Sequence, residues 1–512
     1  MQRRDFLIDL TRIAALAAIV PNDWRVVHRP RFADDPFALG LASGDPSPAG
    51  AMLWTRLAPR PLDPHGGMNG SRAAVTWEVA DDEGFTKIVQ QGRATAVPEL
   101  AYSVHVDVKG LAPDRWYYYR FHSGQATSGV GRVRTAPAEG AQTPLRLAFA
   151  SCQHYEQGFY TAQQHLANEE IDAVAFLGDY IYEYGPNTAN PRLHATAEVM
   201  DLEGYRGRYA QYKSDPALQA AHAAFPWLLI TDDHEVDNNY AGLVSENEME
   251  STEWMHARRA AAYQAWWEHQ PVRVPHSNSW ADLVQMRRLD WGALARIHLL
   301  DGRQYRSDQP CGDGDQAVPC GDWADPKHTM FGPDQEKWLS SGLASSRAHW
   351  QILANQVMFA PFDLTAGPTR TYHMDSWGGY PAAADRLLDS IGKYARNRTV
   401  LISGDIHSNW VNEIHARFTR DETPIVAAEF VGTSFTSGGD GSDRNAAVGA
   451  LAAENPHLKW QNNRRGYVVC RFDGDVCEAD YRIVPYVSKP GAPIQTATRW
   501  KTEHGKAGIT QL

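Results

Sequence analysis

Ala173-Val174-Ala175-Phe176-Leu177 runs without a polar residue into Gly178-Asp179-Tyr180-Ile181-Tyr182-Glu183. A short apolar run that closes on a glycine and a carboxylate reads as a buried strand ending at a polar site. The same grammar recurs three times. Leu145-Arg146-Leu147-Ala148-Phe149-Ala150 leads into Ser151-Cys152-Gln153-His154. Trp227-Leu228-Leu229-Ile230 leads into Thr231-Asp232-Asp233-His234-Glu235-Val236-Asp237-Asn238-Asn239. Thr399-Val400-Leu401-Ile402 leads into Ser403-Gly404-Asp405-Ile406-His407-Ser408. Four strands that each deliver Asp, His, Asn, Cys or Tyr at their carboxyl ends predict a layered α/β fold with a convergent site along that edge.

The chemistry of these residues fits metal ions better than an organic triad. Carboxylate, imidazole, amide, phenolate and thiolate form a mixed hard and soft donor set. Two cations roughly 3.5–4 Å apart can clamp the attacking and leaving oxygens of a phosphate ester and generate a metal-bound hydroxide as nucleophile. Such a pair needs a shared carboxylate, and Asp179 is the candidate. Asp405 and His407 are two apart and project to the same side of an extended segment.

Around these strands the chain divides by composition. At 512 residues it is long enough for two to four domains at roughly 150 residues each. Residues 36–136 carry short alternating or aromatic runs separated by turns, such as Val75-Thr76-Trp77-Glu78-Val79 and Trp116-Tyr117-Tyr118-Tyr119-Arg120-Phe121. They predict an all-β sandwich of immunoglobulin or fibronectin-III type. Residues 137–144, rich in Ala, Pro and Gly, read as a linker. Residues 145–485 then alternate strands and helices, which suggests an αββα layered catalytic domain. Further strands are expected at 296–300, 350–355 and 425–430, a helix at 252–268 and a hairpin at 467–484. Residues 486–512 read as a C-terminal tail.

The formal charge of −12 argues against a nucleic-acid-binding body, which would carry a basic footprint. Residues 1–35 read as a leader. Gln2-Arg3-Arg4-Asp5-Phe6-Leu7-Ile8, followed by a short apolar run over 10–20, resembles a twin-arginine export signal. That implies the twin-arginine machinery as a partner and a periplasmic, cell-surface or secreted location; a frayed amphipathic helix is the alternative. No run is long enough to span a membrane, which takes about 20 apolar residues. Of five cysteines, Cys311 and Cys320 share one polar loop. Cys470 would face Cys477 if Asp473-Gly474 formed a two-residue turn. Two local bridges would leave Cys152 over; free buried thiols are the alternative.

Gly178-Asp179-Tyr180-Ile181-Tyr182-Glu183, Asp232-Asp233-His234-Glu235-Val236-Asp237-Asn238-Asn239 and Gly404-Asp405-Ile406-His407 together resemble the PhoD-like alkaline phosphatase family of calcineurin-like metallophosphoesterases. Leu41-Ala42-Ser43-Gly44-Asp45-Pro46, Leu53-Trp54-Thr55-Arg56 and Asp301-Gly302-Arg303-Gln304-Tyr305-Arg306 are similar to the same family. The resemblance implies hydrolysis of phosphomonoesters and phosphodiesters with ferric iron and calcium. Carried over, Cys152, Asp179, Tyr182 and His407 would hold iron. Asp179 would bridge to calcium, completed by Asp405, by Asn238 or Asn239, and by Asp233. His234 would stabilise the transition state or protonate the leaving group. Asp301 and Arg303 are either a buried ion pair or a support or phosphate contact. Arg464-Arg465 either bind phosphate or are solvated. Rival readings are a phospholipase D-like diesterase acting on lipid headgroups and a non-catalytic cell-surface binding protein.

Overall fold

The computed structural model describes residues 27–247, 249–276, 279–314, 316–443 and 446–512. The twin-arginine-like segment lies outside the described residues. Two mixed sheets share one strand, Leu458–Phe472. Its carboxyl-terminal part pairs with Leu145–Ala150, which continues through parallel strands Ala173–Phe176 and Pro226–Leu229. Its amino-terminal part pairs with Asn409–His415, which leads through Ile425–Val431 to Thr399–Gly404, Trp350–Val357 and Ala295–Leu299.

The strands are apolar on both faces because both faces are covered. Leu145, Leu147, Phe149, Ala173, Ala175 and Leu228 point inward against Ile297, Leu299, Ile352, Val400 and Ile402 of the other sheet. The alternate residues Ala148, Ala150, Val174, Phe176, Trp227 and Leu229 point outward. There they meet helices Thr161–Leu166, Leu202–Lys213, Pro216–Ala224 and Thr252–His269. Helices Gly332–Ser345 and Pro381–Tyr394 cover the outer face of the second sheet. The order is thus helix, sheet, sheet, helix.

The N-terminal β region is a sandwich, but not a detached one. Leu41–Ser47, Gly50–Arg56 and Ser103–Lys109 pair with one another, and Ser43 and Gly44 lie parallel beside Pro226 and Trp227 of the first mixed sheet. Their inner face packs on a five-stranded sheet through Leu41, Leu53, Val104, Val75, Tyr119 and Phe121. The first sheet therefore runs from the sandwich into the layered α/β region.

Two expectations need correction. Gln495–Glu503, inside the segment read as a tail, is a strand paired antiparallel to Val476–Val484, with Trp500 in the core between the sheets. A signal for it exists in the chain: Thr498, Trp500 and Thr502 alternate, and those three are the buried residues. Cys470 does not face Cys477. Phe472 pairs with Cys477 and Cys470 with Ala479, because the Asp473 N–H donates to the Val476 carbonyl and the Asp473 carboxylate accepts from the Asp475 and Val476 N–H groups, which centres the turn on Gly474-Asp475, one residue further on. Both thiols are free and buried, as is Cys152, whereas the Cys311–Cys320 bridge forms. Among the described residues no helix is long and apolar enough to cross a membrane.

Candidate metal centre and its cavity

The four strand ends meet at one edge. Fourteen described non-glycine residues have positive φ, and five of them are Cys152, Asp179, Asn239, Asp405 and His407. This conformation costs an L-residue roughly 1–2 kcal/mol, so its concentration on candidate ligands marks a functional constraint. Each chain turns sharply as it leaves its strand and aims a side chain at the common centre. The two Gly-Asp pairs allow this crowding. A Cβ on Gly178 would lie 2.3 Å from the Cβ of Asp232, and one on Gly404 would lie 2.3 Å from Ser151 Oγ.

Cys152, Asp179 and His407 bring one donor atom each within 4.8 Å of one another, as do Asp179, Asp233 and His234, and Asp232, Asp233 and Asp405. Asp179 belongs to the first two groups and Asp233 to the last two. Tyr182 joins the first: its hydroxyl donates to Asp179 Oδ2 at 2.9 Å, lies 3.2 Å from His407 Nε2, and accepts from Ser437 Oγ at 2.8 Å. Asp179 Oδ1 and Asp233 Oδ1 are buried without a hydrogen-bond partner. An orphaned carboxylate oxygen in a buried site is what a cation would satisfy. Asn238 and Asn239 donate through Nδ2 to Glu246 at 2.5 and 3.1 Å. The residues present therefore fit two cations sharing Asp179.

The electrostatics agree. Burial, with Asp233 nearby, raises Asp405 to about 7. Burial and neighbouring carboxylates push Asp179 well above the usual range. Burial also raises the Cys152 thiol and the Tyr182 phenol, with the Asp179 charge adding to both. Burial, then the Arg465 charge, lowers His407 to about 3, so it is a neutral imidazole. His234 behaves differently. Burial opposes its charge, but Glu183, Asp233 and Asp179 outweigh burial and hold its pKa well above the ordinary value. Its Nδ1 is 2.8 Å from Glu183 Oε2, and it lines the cavity.

Behind the cluster stand several supports that the strand-end pattern does not assign. Glu235 is fully buried and accepts from the N–H groups of Asp179, Tyr180 and Asp232 at 3.0, 2.6 and 2.8 Å. It fixes two strand-end turns at once. Arg303 does not pair with the Asp301 side chain. Asp301 Oδ1 accepts from the backbone N–H groups of Arg303 and Gln304, while the Arg303 guanidinium reaches Asp232 at 2.5 Å and Asp375 at 2.7 Å. Asp301 thus shapes a turn and Arg303 supports the carboxylates from behind. Gln309 ties Asp375 to the Asn239 carbonyl. Arg465 is buried rather than solvated, held by Ser434, the Ser437 carbonyl and Asn463, while Arg464 pairs with Asp443. Tyr180 packs in the core, but Tyr184 is 40% exposed and stands edge-on to His234. Glu183 and Glu235 stand inside the strand-end motifs, and their position near His234 and Asp179 is the signal available for them. Asp375 has none, lying in an irregular stretch 69 residues from Arg306.

A cavity of about 600 Å³ opens over Asp179, Asp233, His234, Asn239, Asp405 and His407. Layers, edge and donor set together define a phosphoric ester hydrolase of the metallophosphoesterase class. The chain belongs to the PhoD-like phosphatase family, whose model matches residues 147–481, with the family's N-terminal domain matching 23–137. It is 45% identical to alkaline phosphatase D of Bacillus subtilis (strain 168) over 521 residues, covering all of this chain and 89% of that protein. A solved structure of PhoD superposes with a TM-score of 0.92 at 46% identity, over 94% of this chain and 93% of that one. A purple acid phosphatase from yellow lupin (Lupinus luteus) seeds shares the fold at 14% identity and a TM-score of 0.56, over 92% of this chain and 74% of that one.

Removing the guanidinium would strand Asp232 as a buried charge, while Arg306 and Gln309 would still hold Asp375. Arg303→Leu is expected to cost about 3–5 kcal/mol of stability, measured by urea unfolding. A loss below about 1 kcal/mol would show that Arg303 carries no such charge.

Proposed function

We propose that this chain is an exported hydrolase of phosphomonoesters and phosphodiesters, working with ferric iron and calcium at the cluster. The observation that carries this is the pair of buried, unpartnered carboxylate oxygens on Asp179 and Asp233 among convergent donors. Cys152, Tyr182, Asp179 and His407 would hold iron, since thiolate and phenolate are anionic donors suited to a ferric ion. Asp179, Asp233, Asp405 and Asn239 would hold calcium. Asn239 is preferred to Asn238 because it shares the left-handed backbone of the other ligands. Its Nδ2 donates to Glu246, which leaves the amide oxygen as the donor to a cation. Bound there, the cations supply activated water and neutralise phosphoryl charge.

The protein's own groups do the rest. The strand-end turns and Glu235 hold the donors in place before substrate arrives, so little reorganisation accompanies reaction. His234, whose Nδ1 lies 2.8 Å from Glu183 Oε2, presents Nε2 to the cavity. There it holds a proton for the oxygen of the departing alcohol. Tyr184, edge-on to the His234 ring, narrows the approach on that side.

Asp179→Asn is expected to lose metal and activity together, with kcat down at least about a hundredfold and an unchanged far-ultraviolet dichroism spectrum. Full metal content with retained turnover would sink the assignment. His234→Gln should slow an alkyl phosphate by about a hundredfold or more but barely affect a p-nitrophenyl ester, whose departing oxygen needs no proton. Equal losses on both would remove the proton-donor role.

A further inference from the structure

The cavity has two unlike walls. One is the cluster of carboxylates and histidines; the other is apolar. Phe362 and Ile406 carry exposed surface on the second wall. Phe362 stands edge-on to Trp410 with ring centroids 4.9 Å apart. Trp410 is itself pinned by its indole N–H, which donates to Ser408 Oγ at 2.8 Å. Met358 and Val448 pack with Trp410 as a small separate core behind this surface. The wall is therefore backed by fixed side chains rather than by a loose loop.

Ile406 is the telling residue. It lies between Asp405 and His407, both held in left-handed backbone, and is 36% exposed. It belongs to none of the buried core clusters, so its apolar surface faces the cavity rather than the protein interior. An isoleucine presented between two candidate ligands puts hydrocarbon beside the place where a phosphoryl group would sit.

The charge pattern points the same way. Among the described residues, no lysine or arginine lines the cavity. Arg303 and Arg465 are each 1% exposed. Arg306 is engaged by Asp375 and Arg464 by Asp443. Away from the cluster, the ionisable lining among the described residues comprises Glu246, Asp375, Tyr372 and His373. A substrate carrying a second phosphate or a carboxylate would meet no lysine or arginine among the described lining residues and would have to desolvate that group. An apolar group would instead cover Phe362 and Ile406 and release water from both surfaces.

We propose that Phe362, Ile406 and Trp410 form a subsite that selects phosphate esters whose non-leaving organic group is apolar and of aryl size over those carrying a methyl or a charged group. This inference rests on the phosphoesterase reading above. It makes Phe362 a specificity residue that acts on substrate binding.

The test compares phenyl p-nitrophenyl phosphate with methyl p-nitrophenyl phosphate, two diesters with the same leaving group. Dividing the phenyl-to-methyl ratio of kcat/KM in a variant by that in the wild type cancels their intrinsic reactivities. In Phe362→Ala that ratio should fall about tenfold, through KM. Phe362→Leu should keep most of it, because an apolar side chain remains. An unchanged ratio in a folded, metal-replete Phe362→Ala protein overturns the subsite. Wild-type protein gives an independent reading if the alanine variant does not fold. By calorimetry phenylphosphonate should bind about tenfold more tightly than methylphosphonate, with a more negative heat-capacity change; equal affinities overturn the proposal. Wild-type protein that cleaves neither diester nor a p-nitrophenyl monoester would overturn the phosphoesterase reading itself. Cleavage of both diesters with an unchanged variant ratio removes only the apolar subsite.

Discussion

Four carboxylates, those of the buried Asp179, Asp232 and Asp233 and the half-buried Asp405, lie together where strand ends from two sheets meet. Like charges at this separation in a poorly solvated site repel strongly. Much of the surrounding architecture offsets that repulsion. From behind, Arg303 reaches Asp232 and Asp375, and Arg306 and Gln309 share Asp375. From within the turns, backbone N–H groups satisfy Glu235, so a fifth carboxylate is accommodated without a cation of its own. On the cavity side, His234 is held charged by Glu183 and its neighbours. What the protein leaves uncompensated is the front of Asp179 and Asp233, where one oxygen of each has no partner.

That constraint explains the backbone. A cluster this dense cannot be assembled from side chains on one element, because neighbouring strand residues point to opposite faces. Each strand contributes a residue or two at its end, and the chain must turn sharply to deliver them. Glycine at 178 and 404 lets the turns approach one another, and the left-handed residues after them set the aim. The strain is carried by a rigid base, since the inter-sheet core and two helical layers grip every contributing strand.

The strand ends are legible in the chain because apolar runs that stop at Asp, His or Cys are informative when repeated. Cys152, Asp179, Asp233, Asp405 and His407 all follow from that pattern, and the helix at 252–268 from its composition. The supports are harder to see. Glu235 acts through backbone N–H groups, which carry no sequence signature, and Asp375 comes from a stretch without regular structure. The proximity of Asp301 and Arg303 in sequence misleads, because a short turn puts the Asp on the backbone and sends the Arg elsewhere. The turn sits on Gly474-Asp475 rather than Asp473-Gly474 because Asp-Gly does not by itself fix where a turn is centred; the Asp473 side chain, accepting from the Asp475 and Val476 N–H groups, does. The sandwich boundary blurs because a strand pairing, Ser43 with Pro226, joins it to the catalytic sheet and is invisible to local pattern.

In the proposed enzyme, cations would complete the uncompensated front of this cluster, with iron on the side of Cys152 and Tyr182. Anomalous diffraction from crystals of the full chain, recorded on both sides of the iron absorption edge, tests it most directly. The account predicts an iron peak within bonding distance of Cys152 Sγ, Tyr182 Oη, His407 and Asp179. A second, iron-free density peak should lie on the Asp233 and Asp405 side of Asp179. Metal-replete, active protein with no anomalous peak beside Cys152 and Tyr182 would contradict it.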